Sequence, residues 1–232
     1  MKPVLRCDLG RPRALLFDLD GTIVDTETAF RDSWLRAGYE YGLQASALDV
    51  DKVAAKQLDG LSTAEALFGI HEESLLVAIA GFAHDYRQKA RKTLELLPGV
   101  EDFILSARGS SVRTALVTNA PAWRVQEVFA GVKLTTGLDL ATLFDVVVHS
   151  HHRARPKPAP DLYEEAVRLL DVPPAVALAF EDSVTGLAAA TSAGVRCVHI
   201  LQDCGRSRCI RYAAACFPNF MTAAAHTEEG SM

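Results

Sequence analysis

The chain has 232 residues, 49% of them hydrophobic and 23% charged, with a formal net charge of −5. This is a globular profile, long enough for one large domain or for a domain with a smaller one inserted, and its acidic balance excludes the basic footprint of a general nucleic-acid binder. No apolar run reaches the roughly eighteen residues a membrane helix needs, and residues 1–12 carry charges and prolines where a secretory signal has its apolar region.

The five cysteines are Cys7, Cys197, Cys204, Cys209 and Cys216. An odd count in a chain this long points to reduced thiols in a cytosol rather than a disulfide framework, and the Cys204–Cys209 spacing is too wide for a simple zinc pair. The expectation is a cytoplasmic monomer or homodimer with neither nucleic acid nor membrane as partner.

The first element is short. Ala14-Leu15-Leu16-Phe17 is an apolar run whose length and terminal Phe favour a buried strand over a helix. Asp18 follows at once and Asp20 two residues later, and in extended chain residues two apart face the same way. Gly21 permits the sharp turn a strand tip needs. Two carboxylates at the mouth of an apolar strand are costly unless neutralised. A hard cation with oxygen ligands does so, and Mg2+ fits best.

Residues 26–42 predict a helix with Phe30, Trp34 and Ala37 on one face and Gly38 near its end. A second helix is expected over residues 45–57. After the loop Leu58-Asp59-Gly60-Leu61-Ser62, the capping-box spacing of Ser62 and Glu65 predicts a helix from Thr63 to about Gly69. A longer helix over residues 72–94 carries Leu75, Leu76, Ile79, Phe82 and Tyr86. No strand signal interrupts residues 26–94, so a helical block is inserted into a sheet that began at Ala14.

Pro98-Gly99 punctuates the return. Strands are expected over residues 112–117, 144–148, 176–180 and 195–200, with a last edge strand at 215–217. Between them Pro121 suits a first helical turn, with Trp123, Val125, Val128 and Phe129 as core contacts. Further helices are expected over residues 159–170, with Asp161 in the first turn, and 184–193. This alternation predicts an α/β fold, a doubly wound parallel sheet. The domain expectation is a discontinuous core of residues 1–25 and 95–232 and a helical unit of residues 26–94.

Three strand candidates end in polar residues: Asp18 and Asp20, Thr118 and Asn119, Glu181 and Asp182. Ligands of open parallel sheets gather at the carboxyl ends of strands, where strand order reverses, so the three groups should meet. Lys157 lies in Arg155-Pro156-Lys157-Pro158-Ala159-Pro160-Asp161, where the prolines stiffen the loop that carries its ammonium. Four acids, one ammonium and one hydroxyl suit Mg2+ and a phosphate dianion.

These residues carry a resemblance. Asp18-Leu19-Asp20-Gly21-Thr22, Thr118-Asn119, Lys157-Pro158, and Glu181-Asp182-Ser183 with Gly186 stand in the order of the four motifs of the haloacid dehalogenase superfamily. From Ala14 to Ile200 the chain resembles its helical-cap hydrolases, the phosphoglycolate phosphatase and beta-phosphoglucomutase group. The resemblance implies a Rossmann-like core, a cap formed by residues 26–94, and a Mg2+-dependent phosphatase acting on a small phosphorylated metabolite. It also implies a role for each position. Asp18 is the nucleophile that forms an aspartyl phosphate. Asp20 is first the general acid and then the base, with its carbonyl on the metal. Asp18 and Asp182 are carboxylate ligands, with Glu181 direct or through water. The Thr118 hydroxyl and the Asn119 backbone N–H hold phosphoryl oxygens, and Lys157 pairs with the phosphate and with Asp18.

The segment Gly60-Leu61-Ser62-Thr63 resembles the cap's substrate-specificity loop. The mutase branch carries an arginine there for a second phosphate, and no basic residue occurs from Leu58 to Ile70. That favours a phosphatase over a sugar-phosphate mutase. A catalytically silent binding protein of the same fold is the other alternative, and the intact Asp20 speaks against it. The basic segment from His149 to Arg155 departs from the family pattern and reads either as a rim for an anionic substrate or as a polar loop. Residues 204–211 fit no pattern.

Overall fold

The computed structural model describes residues 11–54, 58–90, 94–150, 154–201 and 213–223. In chain order the elements are β1 (Ala14–Phe17), α1 (Thr26–Glu40), α2 (Ala47–Ala54), α3 (Gly60–Phe68), α4 (Glu73–Ala90), α5 (Val100–Gly109), β2 (Arg113–Pro121), α6 (Ala122–Thr136), β3 (Val146–Ser150), α7 (Asp161–Leu169), β4 (Ala177–Glu181), α8 (Val184–Ser192), β5 (Arg196–Ile200) and β6 (Ala215–Phe217). The chain divides into two compact units, one of Met1–Asp25 with Glu95–Met232 and one of Thr26–Leu94.

The first unit is an α/β fold around one six-stranded sheet in the order β3-β2-β1-β4-β5-β6, with every pairing parallel. A parallel sheet covered on both faces needs strands that are apolar throughout, and all four residues of β1 are buried. The side chains of β1 alternate between two cores. Ala14 and Leu16 join Leu162, Tyr163, Ala166 and Leu187 on the α7–α8 face. Phe17 lies on the other face, stacked on Phe180 with ring centroids 5.1 Å apart, while Phe103 of α5 meets Phe180 edge-on at 5.2 Å. The register sets Phe17 beside both Leu116 and Phe180, so the next residue, Asp18, emerges level with Val117 and Glu181.

The strand cores lie where the apolar runs predict them, and the ends differ. β2 continues to Pro121, so Thr118 and Asn119 lie inside it rather than at its end, within a register shift against β3. Pro121 is accordingly the N-cap of α6 and not part of its first turn. Val125 and Val128 of α6 are buried as expected, but Trp123 is 61% exposed, since it sits on the opposite side of the helix from that pair. α5 has no counterpart among the elements expected from the sequence. Among the described cysteines Cys197 is free and buried, whereas Cys216 is disulfide-bonded; the expectation of reduced thiols fails for Cys216.

The second unit contains helices only, among the described residues. Its core gathers Trp34 and Ala37 of α1, Val50 of α2, Ala64 of α3 and Leu76, Ile79 and Ala83 of α4, with Phe30, Leu75 and Phe82 packed against it. α3 starts three residues earlier than predicted. Asp59 is its N-cap and accepts from the Ser62 backbone N–H at 2.8 Å, so no capping box forms on Ser62. The Asp59 carboxylate thereby satisfies an otherwise orphaned first-turn donor. Gly60, Leu61, Ser62 and Thr63 are therefore the first turn of a helix and not a loop, and Thr63 is buried. No single helix among the described residues is long and apolar enough to cross a membrane.

Candidate active site

The strand order reverses between β1 and β4, and Asp18 and Glu181 stand at the carboxyl ends of these strands, beside Thr118 and Asn119 in the C-terminal half of β2. Asp18 leaves β1 with its backbone N–H donating to the Phe180 carbonyl at 3.1 Å. Gly21 closes the turn beyond it at φ 80°, a value that favours glycine, with its N–H bonded to the Val24 carbonyl at 2.9 Å.

Lys157 is the centre of the cluster. Its Nζ donates to Asp18 Oδ1 at 2.6 Å, to Glu181 Oε1 at 2.5 Å and to the Val117 carbonyl at 2.7 Å, so all three ammonium protons have acceptors. Glu181, the last residue of β4, is fully buried. Its Oε1 also accepts from the Tyr163 hydroxyl at 2.6 Å, and its Oε2 accepts from Ser183 Oγ at 3.3 Å. The Lys157 ammonium also lies 5.0 Å from the centre of the Tyr163 ring. Ser183 caps α8 by accepting from the Gly186 N–H at 3.0 Å. A Cβ on Gly186 would overlap Glu181 Oε2, so the first turn of α8 can close on this carboxylate only because residue 186 has no side chain.

Asn119 acts on Lys157 through the backbone. Its Oδ1 accepts from the Lys157 N–H at 2.8 Å, and its Nδ2 donates to the Lys157 carbonyl at 3.3 Å. This reciprocal pair fixes the loop in which the Lys157–Pro158 bond is cis. Thr118 is buried, and its hydroxyl oxygen accepts from the Ala120 N–H at 3.0 Å. Asp20 stands apart from the lysine and receives a hydrogen bond from Arg124 Nη2 at 3.2 Å. Gly60, Leu61, Ser62 and Thr63 belong to the other compact unit. His151, His152 and Arg153, and the whole 204–211 segment, lie outside the described residues.

Burial raises the Asp18 pKa to about 7, with Lys157 pulling it down and Glu181 pushing it up. Burial works against the charge on Lys157 too, but the carboxylates of Asp18 and then Glu181 outweigh it and hold the ammonium above its ordinary value. Both shifts are upward because one cation serves two desolvated carboxylates: the lysine gains from both, and each acid has only a share of it. Carboxylate oxygens of Asp18, Glu181 and Asp182 all come within 4.8 Å of one another. Three acids against one ammonium leave a deficit of two positive charges, and an all-oxygen donor set suits a hard divalent cation.

Three residues outside the predicted set support this cluster. Tyr163 lies on the buried face of α7 with Leu162 and Ala166; a lone phenol on such a face signals a buried acceptor. His199 Nε2 is 3.0 Å from the Asp182 carbonyl, and since a carbonyl only accepts, Nε2 carries the proton and Nδ1 does not. Burial depresses the His199 pKa. Arg124 shows no signal in the sequence beyond its place in the first turn of a helix that follows a polar strand end.

Residues 12–194 match the family model of the haloacid dehalogenase-like hydrolases. The chain belongs to that family and is an enzyme of the hydrolase class. It is 32% identical to protein CbbY of Rhodobacter capsulatus over 80% of this chain and 84% of that protein. It is also 32% identical to the fructose-1-phosphate phosphatase YqaB of Escherichia coli, over 82% of this chain and 97% of that one. Among solved structures, a variant of CbbY from Rhodobacter sphaeroides in complex with xylulose-(1,5)bisphosphate superposes with a TM-score of 0.67 at 25% identity, covering 90% of this chain and 95% of that one.

Proposed function

We propose that the protein is a Mg2+-dependent phosphomonoesterase that removes phosphate from a small phosphorylated carbohydrate through an aspartyl phosphate on Asp18. The carrying observation is the Lys157 ammonium held 2.6 Å from Asp18 and 2.5 Å from Glu181, with Asp182 beside them. Lys157 fixes Asp18 Oδ1, so the carboxylate is oriented before substrate arrives. An Asp18 oxygen attacks phosphorus as the bond to the leaving alcohol breaks, and the alkoxide takes the proton of Asp20. The Asp20 carboxylate then accepts a proton from the water that displaces Asp18 from phosphorus. Lys157 balances charge on the phosphoryl oxygens, and the Thr118 hydroxyl and the Asn119 N–H are their further donors. Asp18, Asp182 and Glu181 would hold the Mg2+, which when bound supplies the positive charge that keeps Asp18 ionised and draws in the phosphate.

In this reading the helical unit, Thr26–Leu94, is the cap, and the first turn of α3 from Gly60 to Thr63 is its substrate-reading element. The carbohydrate class follows the phosphate esters named for the relatives. No basic side chain occurs from Leu58 to Ile70 to hold a second phosphate, which supports hydrolysis over transfer back to a bisphosphate. The test is Asp18→Asn with p-nitrophenyl phosphate in Mg2+ buffer. Hydrolysis should vanish with an unchanged circular dichroism spectrum, and full activity would overturn the assignment. Phosphate release from a panel of sugar phosphates then ranks the substrates.

A further inference from the structure

Asp20 is the open member of the cluster, with 36% of its side chain exposed. Among the described residues its one side-chain hydrogen bond comes from Arg124, whose Nη2 lies 3.2 Å from Asp20 Oδ1. Arg124 stands in the first turn of α6. Its Nη1 donates to Glu127 Oε2 at 3.3 Å, three residues along the same helix, and only 12% of its side chain reaches solvent. The guanidinium is a rigid planar fork. With one prong on Glu127, the other reaches from the element after β2 to the turn after β1.

We propose that Arg124 is a positioning residue for proton transfer at Asp20. The proposal rests on the reading of Asp20 as the acid and base. Engaging Oδ1 fixes the plane of the carboxyl group and leaves Oδ2 to carry the proton that the leaving oxygen takes when its bond to phosphorus breaks. A carboxyl on an open turn has free rotation about its last torsion, and a fork anchored at its far end removes that freedom. A lysine makes one contact from a flexible stem and reproduces the constraint only in part.

The leaving group separates this role from a structural one. p-Nitrophenolate departs without a proton, whereas phenolate is more basic and benefits from one. kcat/KM reports only the steps up to departure of the phenol. The experiment measures kcat/KM with p-nitrophenyl phosphate and phenyl phosphate for the parent, Asp20→Asn, Arg124→Gln and Arg124→Lys. Arg124→Gln should lose about tenfold more on phenyl phosphate than on p-nitrophenyl phosphate, a fraction of the 10²–10⁴ that general acid catalysis supplies, with Arg124→Lys between it and the parent. Equal losses on the two esters for the arginine variants, with the excess retained by Asp20→Asn, overturn the proposal and leave Asp20 as the acid. No excess in Asp20→Asn overturns the reading of Asp20 itself, and the proposal with it. Should Arg124→Gln fail to fold, the same comparison on Arg124→Lys decides.

Discussion

Lys157 and Arg124 are held in opposite ways, although each faces one carboxylate of the Asp18–Asp20 pair. The lysine side chain is 3% exposed and saturated by two carboxylates and a carbonyl. The arginine meets a carboxylate that is more than a third open to solvent. Coulombic coupling grows as the effective dielectric falls, so the buried lysine side is the more strongly coupled, an electrostatic frame. The arginine side is a contact that water screens, which suits the proton transfer proposed for Asp20. Under the proposed function, charge neutralisation sits in the interior and proton transfer at the rim.

Lys157→Met is the strongest way to break that contrast. It keeps the length of the stem and leaves Asp18 and Glu181 buried without their cation. Removing one partner of a buried pair costs about 3–5 kcal/mol, read by urea denaturation, and phosphate-ester kcat/KM should fall by at least about 10²-fold. A stability loss under about 1 kcal/mol, the range of a surface pair, would mean that the frame is not fixed at all.

Gly186→Ala probes the same frame sterically. Alanine is the better helix former, yet its methyl would overlap Glu181 Oε2, and that carboxylate is fully buried. Overpacking should win, at about 1–3 kcal/mol of destabilisation. A stabilised variant would show that Glu181 is free to move.

The charge deficit of the frame makes a pH prediction for protein stripped of divalent cations by chelation. The folded Asp18 keeps its proton up to about pH 7, against 3.8 for the ordinary carboxyl. Between those values the unfolded chain binds fewer protons, so stability falls as pH rises through that window and falls no further above it. Asp18→Asn removes that liability. Its Tm at pH 8 in chelator should exceed that of the parent by several degrees, about 2–4 °C per kcal/mol regained in a chain of this size, and the gain should vanish near pH 4. A lower Tm for the variant at pH 8 would mean that the lysine already neutralises both acids.

The sequence shows the frame's charged parts better than its fittings. Asp18 and Glu181 are legible because a charged side chain at the mouth of an apolar strand is costly to bury without a partner of opposite sign, and Lys157 because prolines on both sides stiffen the loop that carries its ammonium. The sheet is legible because buried parallel strands read as continuous apolar runs. Asn119 is legible as a polar residue near a strand end, but its amide clamp on the Lys157 backbone is not, since that contact joins residues 38 positions apart. The start of α3 is misread because Asp59 and Ser62 both suit an N-cap, and a local pattern cannot rank two candidates in one turn. Trp123 is misread because hydrophobic residues crowd α6 and only packing shows which side is covered. The Asp20–Arg124 pair, 104 residues apart, has no periodic signature at all.

Arg124→Gln therefore carries the smallest expected change in stability and sharpens the contrast from the other side. Its partner Asp20 is open to water, so loss of the pair should cost within about 1 kcal/mol, and that cost should shrink further in high salt. The buried part of the arginine stem adds packing that glutamine largely replaces. Stability and catalysis should thus separate here: a nearly unchanged urea midpoint beside a leaving-group-dependent loss of kcat/KM. A destabilisation as large as that of Lys157→Met would place Arg124 in the frame with Lys157, and the rim would then be as rigid as the interior.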